Sequence, residues 1–396
     1  MNLVIMAAGE GSRMRPFTNT VPKPLLQICG KSIIEHNIEG IIQEFDEIFM
    51  VVKYKKESFI SYFGSEYQGK QIHYIEQGDI QGTGAAILAL DGKISGDFIV
   101  VSGDDLYDKN DILALIKQSG YATLCKRVHN PELFGIFNCD STGKATGIIE
   151  KPTEAKYGNL ANIGNHKFDD KIFDILKSIP LSVRGELEVT DLINIYIQQG
   201  IYSIVEAHGQ WLSIGYPWDL LKVNESIIGS YTETIDKGSI IEPNVFIKGY
   251  IYLEEGVILK SGTYIEGNVY FGKGSVIGPN AYIRGNTSIG ENSKVGSSVE
   301  LKNSYVGSHT HIPHLSYIGD SVIGNNTNLG GGTKVANLRH DGKNIRVMVK
   351  NQLVDTGRHK LGAIIGDNVH TGIDTLIYPG RIISTDGTTL PGDIVK

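Results

Sequence analysis

The sequence predicts an α/β protein of two domains: a sheet covered by helices over residues 1–230, and a parallel β-helix over residues 238–396. Strand-like and helix-like segments alternate in the first part, whereas in the second an apolar residue recurs at every sixth position. Glycine is abundant, at 48 of 396 residues, and is denser after Gly238. A chain of this length can form two domains, each with its own core.

The alternation defines the expected elements of the first domain. Residues 2–8, 47–53 and 97–101 are apolar runs typical of buried strands, and residues 32–43 and 187–199 have the spacing of amphipathic helices. Such alternation favours an α/β sheet with helices packed on it.

The six-residue period defines the second domain. The apolar positions in unbroken register are Ile241, Ile247, Leu253, Leu259, Ile265, Phe271, Ile277, Ile283, Ile289, Val295 and Leu301. The step is five at Val306 and Ile323 and six elsewhere up to Val335. Gly, Asn or Asp fills many positions between them, and a six-residue period with turn residues in each unit indicates a parallel β-helix.

The period lapses between Val335 and Ile365. This interval is basic and holds Arg339, His340, Lys343, Arg346, Lys350, Arg358, His359 and Lys360. Two interpretations stay open, a solvated excursion or an arm that meets the phosphates of a sugar phosphate or of coenzyme A.

Composition excludes some classes of protein. With 37 basic and 44 acidic residues the net charge is −7, which argues against a nucleic-acid binder, and no apolar run approaches the length of a membrane helix. The first residues lack the pattern of a secretory signal. Cys29, Cys125 and Cys139 lack metal-ligand spacing, so we expect buried thiols in a reducing compartment and a cytoplasmic location.

A glycine loop follows the first strand. Met14 stands where a dinucleotide-binding loop needs its third glycine, and the Gly-Lys-Ser/Thr of a P-loop is absent. What remains is a backbone-rich turn with Arg13, Arg15 and Lys23 near it. Three cations beside exposed amides suit a triphosphate.

These residues resemble a known signature. Met6-Ala-Ala-Gly-Glu-Gly-Ser-Arg-Met14 with Pro22-Lys-Pro-Leu-Leu26 is similar to the motif of sugar-1-phosphate nucleotidylyltransferases, and later motifs follow in that family's order. The resemblance implies a Rossmann-like nucleotidyltransferase fold with Mg²⁺. It assigns substrate contacts to Ala7, Ala8 and Gly9, phosphate stabilisation to Arg13 and Lys23, base recognition to Gln77, Gly82 and Thr83, sugar contacts to Gly135, Glu150 and Asn162, and the metal to Asp104.

The chain departs from that family pattern at one metal ligand. Ser213 stands in Trp211-Leu-Ser-Ile-Gly215 where many relatives have a second metal-binding aspartate, and a hydroxyl is a poor substitute for a carboxylate. Asp219, in Pro217-Trp-Asp219, is a candidate replacement whose distance from the site the sequence does not give. His166, in a polar interruption of an expected strand, is interpreted as a local feature and not as a catalyst.

A second cluster of candidate residues lies in the β-helix. The six-residue period resembles that of hexapeptide-repeat acyltransferases, and this resemblance implies a left-handed β-helix with three repeats per coil. Arg284 and Lys302 are 18 residues apart at the same place in their repeats, so such a coil would stack them about 4.8 Å apart. Two unpaired cations at that spacing favour a bound phosphate. The alternative is that Glu300 neutralises them.

His314 follows two thirds of a coil later and is expected near Asn328, Asn337 and Lys343. A neutral imidazole can take the proton of an attacking amine at neutral pH, although a lone histidine is often structural.

The second domain also resembles a known family. His314-Leu-Ser-Tyr-Ile-Gly-Asp320 and the stretch to Asn337 are similar to the acetyltransferase half of the bacterial enzyme that makes UDP-N-acetylglucosamine. The two-domain plan resembles archaeal bifunctional sugar-1-phosphate nucleotidylyltransferase/acetyltransferases. That resemblance implies a left-handed β-helix and a homotrimer that binds acetyl-CoA. It makes His314 the base, places Lys343, Tyr317, Asn328 and Asn337 in the site, and puts Gly331 and Ile373 near the coenzyme, where the bacterial enzyme has Ala and Ser.

The resemblances imply a bifunctional enzyme. We expect N-acetylation of glucosamine 1-phosphate or galactosamine 1-phosphate, and transfer of a nucleotidyl group from UTP or dTTP to the sugar 1-phosphate. The products would be UDP-N-acetylglucosamine and pyrophosphate. Two alternatives stay open: a monofunctional nucleotidylyltransferase with a structural or regulatory β-helix, and a nucleotide-sugar binding protein weakened at Ser213.

Overall fold

The computed structural model describes residues 1–152 and 158–396, which group into two compact units. The first unit combines Met1–Glu10 with Ile33–Ser213, and the second combines Gly11–Ser32 with Ile214–Lys396. The second unit therefore contains both the repeat region and a short segment from near the N-terminus.

The elements before the repeats follow the predicted alternation. The strands are β1 (Asn2–Ala7), β2 (Gln27–Ile28), β3 (Lys31–Ser32), β4 (Ile48–Val52), β5 (Glu66–Tyr67), β6 (Lys70–Glu76), β7 (Phe98–Ser102), β8 (Leu106–Tyr107), β9 (Tyr121–Arg127), β10 (Gly135–Cys139), β11 (Ala145–Glu150), β12 (Leu160–Phe168), β13 (Tyr202–Glu206) and β14 (Trp211–Leu212). The helices are α1 (Ile33–Ile38), α2 (Lys56–Phe63), α3 (Thr83–Leu88), α4 (Lys109–Ile116), α5 (Ile172–Ser178), α6 (Val189–Gln198) and α7 (Asp219–Ser230).

A mixed sheet organises the first unit. Its strand order is β11-β10-β12-β7-β1-β4-β6-β5, with β9 between β12 and β13. The strands β7, β1, β4 and β6 run parallel, so their carboxyl ends meet at one edge. Leu3, Val4 and Ile5 of β1 are fully buried, which explains why this strand is apolar from Leu3 to Ala7. The three predicted strands and the helix expected over residues 187–199 are confirmed to within two residues at their ends. The helix expected over residues 32–43 is shorter than predicted, because α1 ends at Ile38 and a separate 3₁₀ turn covers Ile42–Glu44.

A three-sided parallel β-helix forms most of the second unit, as predicted. The first wall is β15 (Thr234–Ile235), β18 (Ile251–Leu253), β21 (Val269–Phe271), β24 (Thr287–Ile289), β27 (Tyr305–Val306), β30 (Val322–Ile323), β34 (Ile364–Ile365) and β36 (Ile382–Ile383). The second wall is β16 (Ile240–Ile241), β19 (Ile258–Leu259), β22 (Val276–Ile277), β25 (Lys294–Ser297) and β28 (His311–His314). The third wall is β17 (Phe246–Lys248), β20 (Tyr264–Glu266), β23 (Tyr282–Arg284), β26 (Glu300–Lys302), β29 (Tyr317–Gly319), β31 (Lys334–Val335), β35 (Leu376–Ile377) and β37 (Ile394–Val395).

The six-residue period corresponds to the interior of this β-helix. Ile265, Ile283, Leu301 and Ile318 stack on successive coils of the third wall and are fully buried. Ile241 belongs to the first coil and is 38% exposed, because no earlier coil covers it. The handedness of the winding stays a prediction.

The lapse in the period is an excursion from the stack. It contains an antiparallel hairpin of β32 (Arg346–Val349) and β33 (Gln352–Asp355), after which the first wall continues with Val322 paired to Ile364. The coils therefore stack across the excursion as if it were absent.

The structure bears on two expectations from composition, one about membrane-spanning helices and one about the burial of the cysteines. No helix in the described residues is long and apolar enough to cross a membrane. Cys29 and Cys125 are buried, but the expectation of a buried thiol is wrong for Cys139, which is exposed at the end of β10 where its pairing with β11 becomes irregular.

Candidate active sites

The residues of the first unit that are predicted to bind the nucleotide and the metal lie at the carboxyl edge of the sheet. Ala7 ends β1, Ala8 and Gly9 follow it, and Asp104 lies two residues beyond the end of β7. The two turns are adjacent because the backbone N–H of Gly103 donates to the carbonyl of Met6 at 3.0 Å. In open α/β sheets this edge is the usual place for a ligand.

Asp104 and Asp105 have different surroundings. The hydroxyl of Ser102 donates to Oδ1 of Asp104 at 2.6 Å. Asp105 instead accepts the indole N–H of Trp211 at 3.1 Å, and its carbonyl accepts the side-chain amide of Asn37 at 2.7 Å. Asp105 thus has a structural role, which leaves Asp104 as the candidate metal ligand.

No group of three His, Cys, Asp or Glu residues in the described part of the chain could hold a metal ion by itself. Asp104 nevertheless fits Mg²⁺, which is usually bound by one or two carboxylates together with substrate phosphates.

The predicted base-recognition residues form one loop. The side-chain amide of Gln77 is buried and donates to the carbonyl of Ile80 at 3.0 Å, so it shapes the loop that leads to α3. Gly82 has a φ of +110°, and a Cβ there would lie 2.3 Å from the carbonyl oxygen of Leu187. The hydroxyl of Thr83 accepts the backbone N–H of Val189 at 3.2 Å, which joins the starts of α3 and α6.

The structure brings two of the predicted sugar residues together. Gly135 and Glu150 are paired in β10 and β11. Burial raises the pKa of Glu150, against the opposing charges of Lys151 and Arg184, each 3.6 Å away. Asn162 lies at an irregularity of β12 instead, where its side-chain oxygen accepts the N–H of Gly164 at 3.0 Å.

The polar interruption of β12 supports the active-site edge. Oδ1 of the buried Asn165 accepts the backbone N–H of Ser102 at 3.0 Å and so fixes the turn before Asp104, a role that sequence reasoning missed. His166 is buried beside Phe168, and desolvation lowers its pKa to about 3. An imidazole held neutral in the core agrees with its interpretation as a local feature.

Arg13 and Lys23 lie on the N-terminal segment of the second unit. The exposed Arg13 guanidinium is 5.4 Å from the centre of the Tyr216 ring, and Lys23 is buried. Oδ2 of Asp219 accepts the backbone N–H groups of Gly215 and Tyr216 at 2.8 and 2.7 Å. That oxygen is committed to the turn, so the geometry gives no support for Asp219 as a replacement metal ligand; Ser213 is exposed.

The third wall places Arg284 directly over Lys302, as predicted. The expectation that they are unpaired is wrong. Arg284 donates to Glu300 from Nε at 2.8 Å and from Nη2 at 2.6 Å, and Nζ of Lys302 lies 2.8 Å from Oδ2 of Asp320. The alternation of side chains along a strand puts Glu300 on the same face as Lys302 and diagonal to Arg284, within reach of its long side chain.

Asp320 connects the residues of this cluster and was missed as a site residue. It is only 3% exposed and accepts hydrogen bonds from Lys302, from Asn303 at 2.9 Å and from Asn337 at 2.5 Å. Asn337 also donates to the hydroxyl of Tyr317 at 3.3 Å.

Gly319 makes room for that arrangement. A Cβ at this position would lie 2.6 Å from the amide nitrogen of Asn337 and 2.7 Å from the hydroxyl of Tyr317. Lys302, Tyr317 and Asn337 are therefore brought together, as predicted.

His314 is exposed at the corner between the second and third walls. It ends β28, and Leu315 then turns the chain with a φ of +52° toward β29. The carbonyl of His314 accepts the N–H of Gly332 at 3.1 Å, which places Gly331 beside it. Ile373 lies one coil further, where the N–H of Asp374 donates to the carbonyl of Gly331 at 2.8 Å.

Asn328 and Lys343, which the sequence predicts in one site with His314, are not joined to it by a hydrogen bond in the described part of the chain. Asn328 bridges His311 and His370 along the second wall, and Lys343 is exposed in the excursion. In residues 1–152 and 158–396, no hydrogen bond joins either side chain to His314. Within the excursion, Arg339 pairs with Asp341 at 2.6 Å, and both interpretations of this basic segment stay open.

Known protein families match both the N-terminal and the C-terminal part of the chain. A family model described as nucleotidyl transferase matches residues 2–229, and one described as GMPPB C-terminal domain matches residues 265–386. The chain is 42% identical over 380 residues to the bifunctional protein GlmU of Methanocaldococcus jannaschii, with 96% of this chain and 91% of that protein covered.

A second relative and a solved structure extend the comparison. The chain is 40% identical over 399 residues to a bifunctional sugar-1-phosphate nucleotidylyltransferase/acetyltransferase of Sulfurisphaera tokodaii, with 100% and 97% covered. A crystal structure of a Bacillus anthracis protein described as a glucose-1-phosphate thymidylyltransferase, in complex with a sucrose, aligns with a TM-score of 0.53 and 28% identity, over 59% of this chain and 98% of that one.

Proposed function

Because this chain belongs to the family of bifunctional sugar-1-phosphate nucleotidylyltransferase/acetyltransferases, we propose that it catalyses two consecutive reactions. The first transfers acetyl from acetyl-CoA to the amine of glucosamine 1-phosphate or galactosamine 1-phosphate. The second joins the product to the nucleotidyl group of UTP or dTTP and releases pyrophosphate. Full-length relatives named for both activities favour this function over a monofunctional enzyme or a binding protein.

We assign nucleotidyl transfer to residues 1–230 and acetyl transfer to residues 238–396. For nucleotidyl transfer, a sugar 1-phosphate oxygen attacks the α-phosphorus in line, and catalysis is largely positioning and charge neutralisation. Arg13 and Lys23 offset the charge of the departing pyrophosphate. Mg²⁺ supplies further neutralisation when bound, with Asp104 as its protein ligand.

The remaining predicted residues of the first site recognise the two substrates. Ala7, Ala8 and Gly9 offer backbone to the nucleotide, and Gln77, Gly82 and Thr83 form the loop for its base. Gly135, Glu150 and Asn162 hold the sugar.

For acetyl transfer, the amine attacks the thioester carbonyl and the coenzyme thiolate leaves. His314 accepts the amine proton and returns it to the thiolate, so protons balance over the cycle. Arg284 and Lys302 bind the phosphate of the acceptor, and Tyr317, Asn328, Asn337 and Lys343 line the same site. Gly331 lies next to the coenzyme. Because both cations already have carboxylate partners, the phosphate competes with Glu300 and Asp320 for the same donors.

One observation carries this proposal: Arg284 lies over Lys302 on one wall, and an exposed His314 stands at the adjoining corner. Thiol release from acetyl-CoA and glucosamine 1-phosphate tests it. We expect His314→Ala to lower kcat by about 100-fold or more, since a general base contributes about 10² to 10⁴. His309→Ala, an exposed histidine in a neighbouring turn, should leave the rate unchanged. Equal rates in both variants would refute the role of His314.

Pyrophosphate release from UTP, N-acetylglucosamine 1-phosphate and Mg²⁺ tests the other activity. Asp104→Asn should reduce the rate by at least about 100-fold, because a neutral amide is a poorer Mg²⁺ ligand than a carboxylate and the transferring phosphates lose neutralising charge. Asp91→Asn, at a surface ion pair with Lys177, is the control and should match the unaltered enzyme. A silent wild type, or an Asp104→Asn variant that matches it, contradicts this assignment.

A further inference from the structure

The segment Gly11–Ser32 carries Arg13 and Lys23 and has little regular structure of its own. It contains three 3₁₀ turns of three residues each and the two-residue strands β2 and β3. The 3₁₀ helix is used in short pieces and has poorer hydrogen-bond geometry than the α-helix. Contacts from outside the segment therefore contribute to its shape.

Three coils of the β-helix contact the segment through the first wall and the turns that follow its strands: Tyr305 lies in β27, Asp367 follows β34 and Thr385 follows β36. The hydroxyl of Tyr305 donates to the carbonyl of Gln27 at 2.6 Å, and the hydroxyl of Thr385 donates to the carbonyl of Pro16 at 2.9 Å. Between them along the wall, the hydroxyl of Thr20 donates to Oδ2 of Asp367.

The contact is closely fitted as well as polar. Gly366 has no side chain, and a Cβ there would lie 3.0 Å from Cβ of Pro16. Asp367 is 4% exposed, and its other oxygen accepts the backbone N–H of Asn325 at 2.6 Å. A buried carboxylate that loses a donor is left with an unsatisfied charge, so the Thr20 contact is costly to break.

We propose that the first wall of the β-helix is a positioning element for nucleotidyl transfer. Through Tyr305, Asp367 and Thr385 it holds the segment that presents Arg13 and Lys23 to the triphosphate. This inference rests on the proposed role of those two cations. The β-helix then serves both reactions, because the acetyl-transfer residues lie on the third wall and at its corner with the second.

Thr20→Val and Thr20→Ser in the full-length chain test this inference from the side of the segment. Valine keeps the shape but removes the hydroxyl, whereas serine restores it. We expect kcat/KM for UTP to fall about tenfold in Thr20→Val and to recover to within about twofold in Thr20→Ser, since a hydrogen bond to a charged group is lost and regained. The KM for the sugar 1-phosphate should stay the same.

Variants of the wall test it from the other side. Tyr305→Phe and Thr385→Val should lower kcat/KM for UTP in the same direction, whereas Ser384→Ala, at the exposed neighbour of Thr385, should not. Acetyl-CoA thiol release in each preparation reports whether the β-helix is intact and should be unchanged.

The outcomes separate this inference from the proposed function. If all three hydroxyl variants keep the wild-type kcat/KM for UTP, or if acetyl transfer falls in parallel with it, the inference is overturned while the two activities stand. If the unaltered chain releases no pyrophosphate, the proposed nucleotidyl transfer fails and the inference fails with it. If Thr20→Val does not fold, the values of kcat/KM for UTP in Tyr305→Phe and Thr385→Val test the inference instead.

Discussion

Two buried polar residues, Asn165 and Asp320, support the candidate sites by positioning other residues through hydrogen bonds. Asn165 acts on the Asp104 turn through a backbone N–H, and Asp320 acts on Lys302 and Asn337. The repeat period places Arg284 over Lys302, because stacking depends only on spacing along the chain. The carboxylates that pair with them could not be predicted in the same way, since diagonal neighbours across strands depend on side-chain length and direction.

Asp320→Ala should destabilise the β-helix measurably. It would leave the ammonium of Lys302 without its partner at a site where both side chains are mostly buried. Breaking such a pair costs about 3 to 5 kcal/mol of unfolding free energy, which denaturant titration would detect.

Asp341→Ala removes a carboxylate from the exposed pair with Arg339 and provides the control. It should change stability little. A similar small change in both variants would show that Asp320 is not the support described above.

At the scale of elements, prediction succeeded where the signal is local. Eleven repeats in register specify the coils, because each unit carries its own apolar position and its own turn residues. The alternation of strands and helices likewise specifies the sheet. The docking of Thr20 on Asp367 has no such signal, since the two residues are 347 positions apart and neither belongs to a repeated pattern.

The first coil and the basic excursion also show which features the local sequence pattern does not predict. Ile241 fits the period but remains partly exposed, because burial depends on a neighbouring coil and not on the residue itself. Similarly, a basic stretch is visible in the sequence, but its hairpin and the Arg339–Asp341 pair appear only in three dimensions.

For the whole molecule, we expect a homotrimer formed through the β-helix. Its third wall carries exposed aromatic side chains, with Phe246 and Tyr264 stacked 4.8 Å apart. Burying such a surface against other copies is favourable. Sedimentation equilibrium should give about three times the chain mass of 43.3 kDa, and a mass of one chain over the full concentration range would contradict the trimer.

The uninterrupted pairing of Val322 with Ile364 has a wider consequence. Forty-odd residues separate them, yet both strands pair with their neighbours in the same parallel register as the rest of the first wall. An insertion at a corner between two walls of the β-helix therefore leaves the stacking of the coils on either side unchanged. We expect relatives with different insertions at this corner to keep the same stacking of the site residues. Substrate specificity can then change through the inserted loop alone, without a change in the coils.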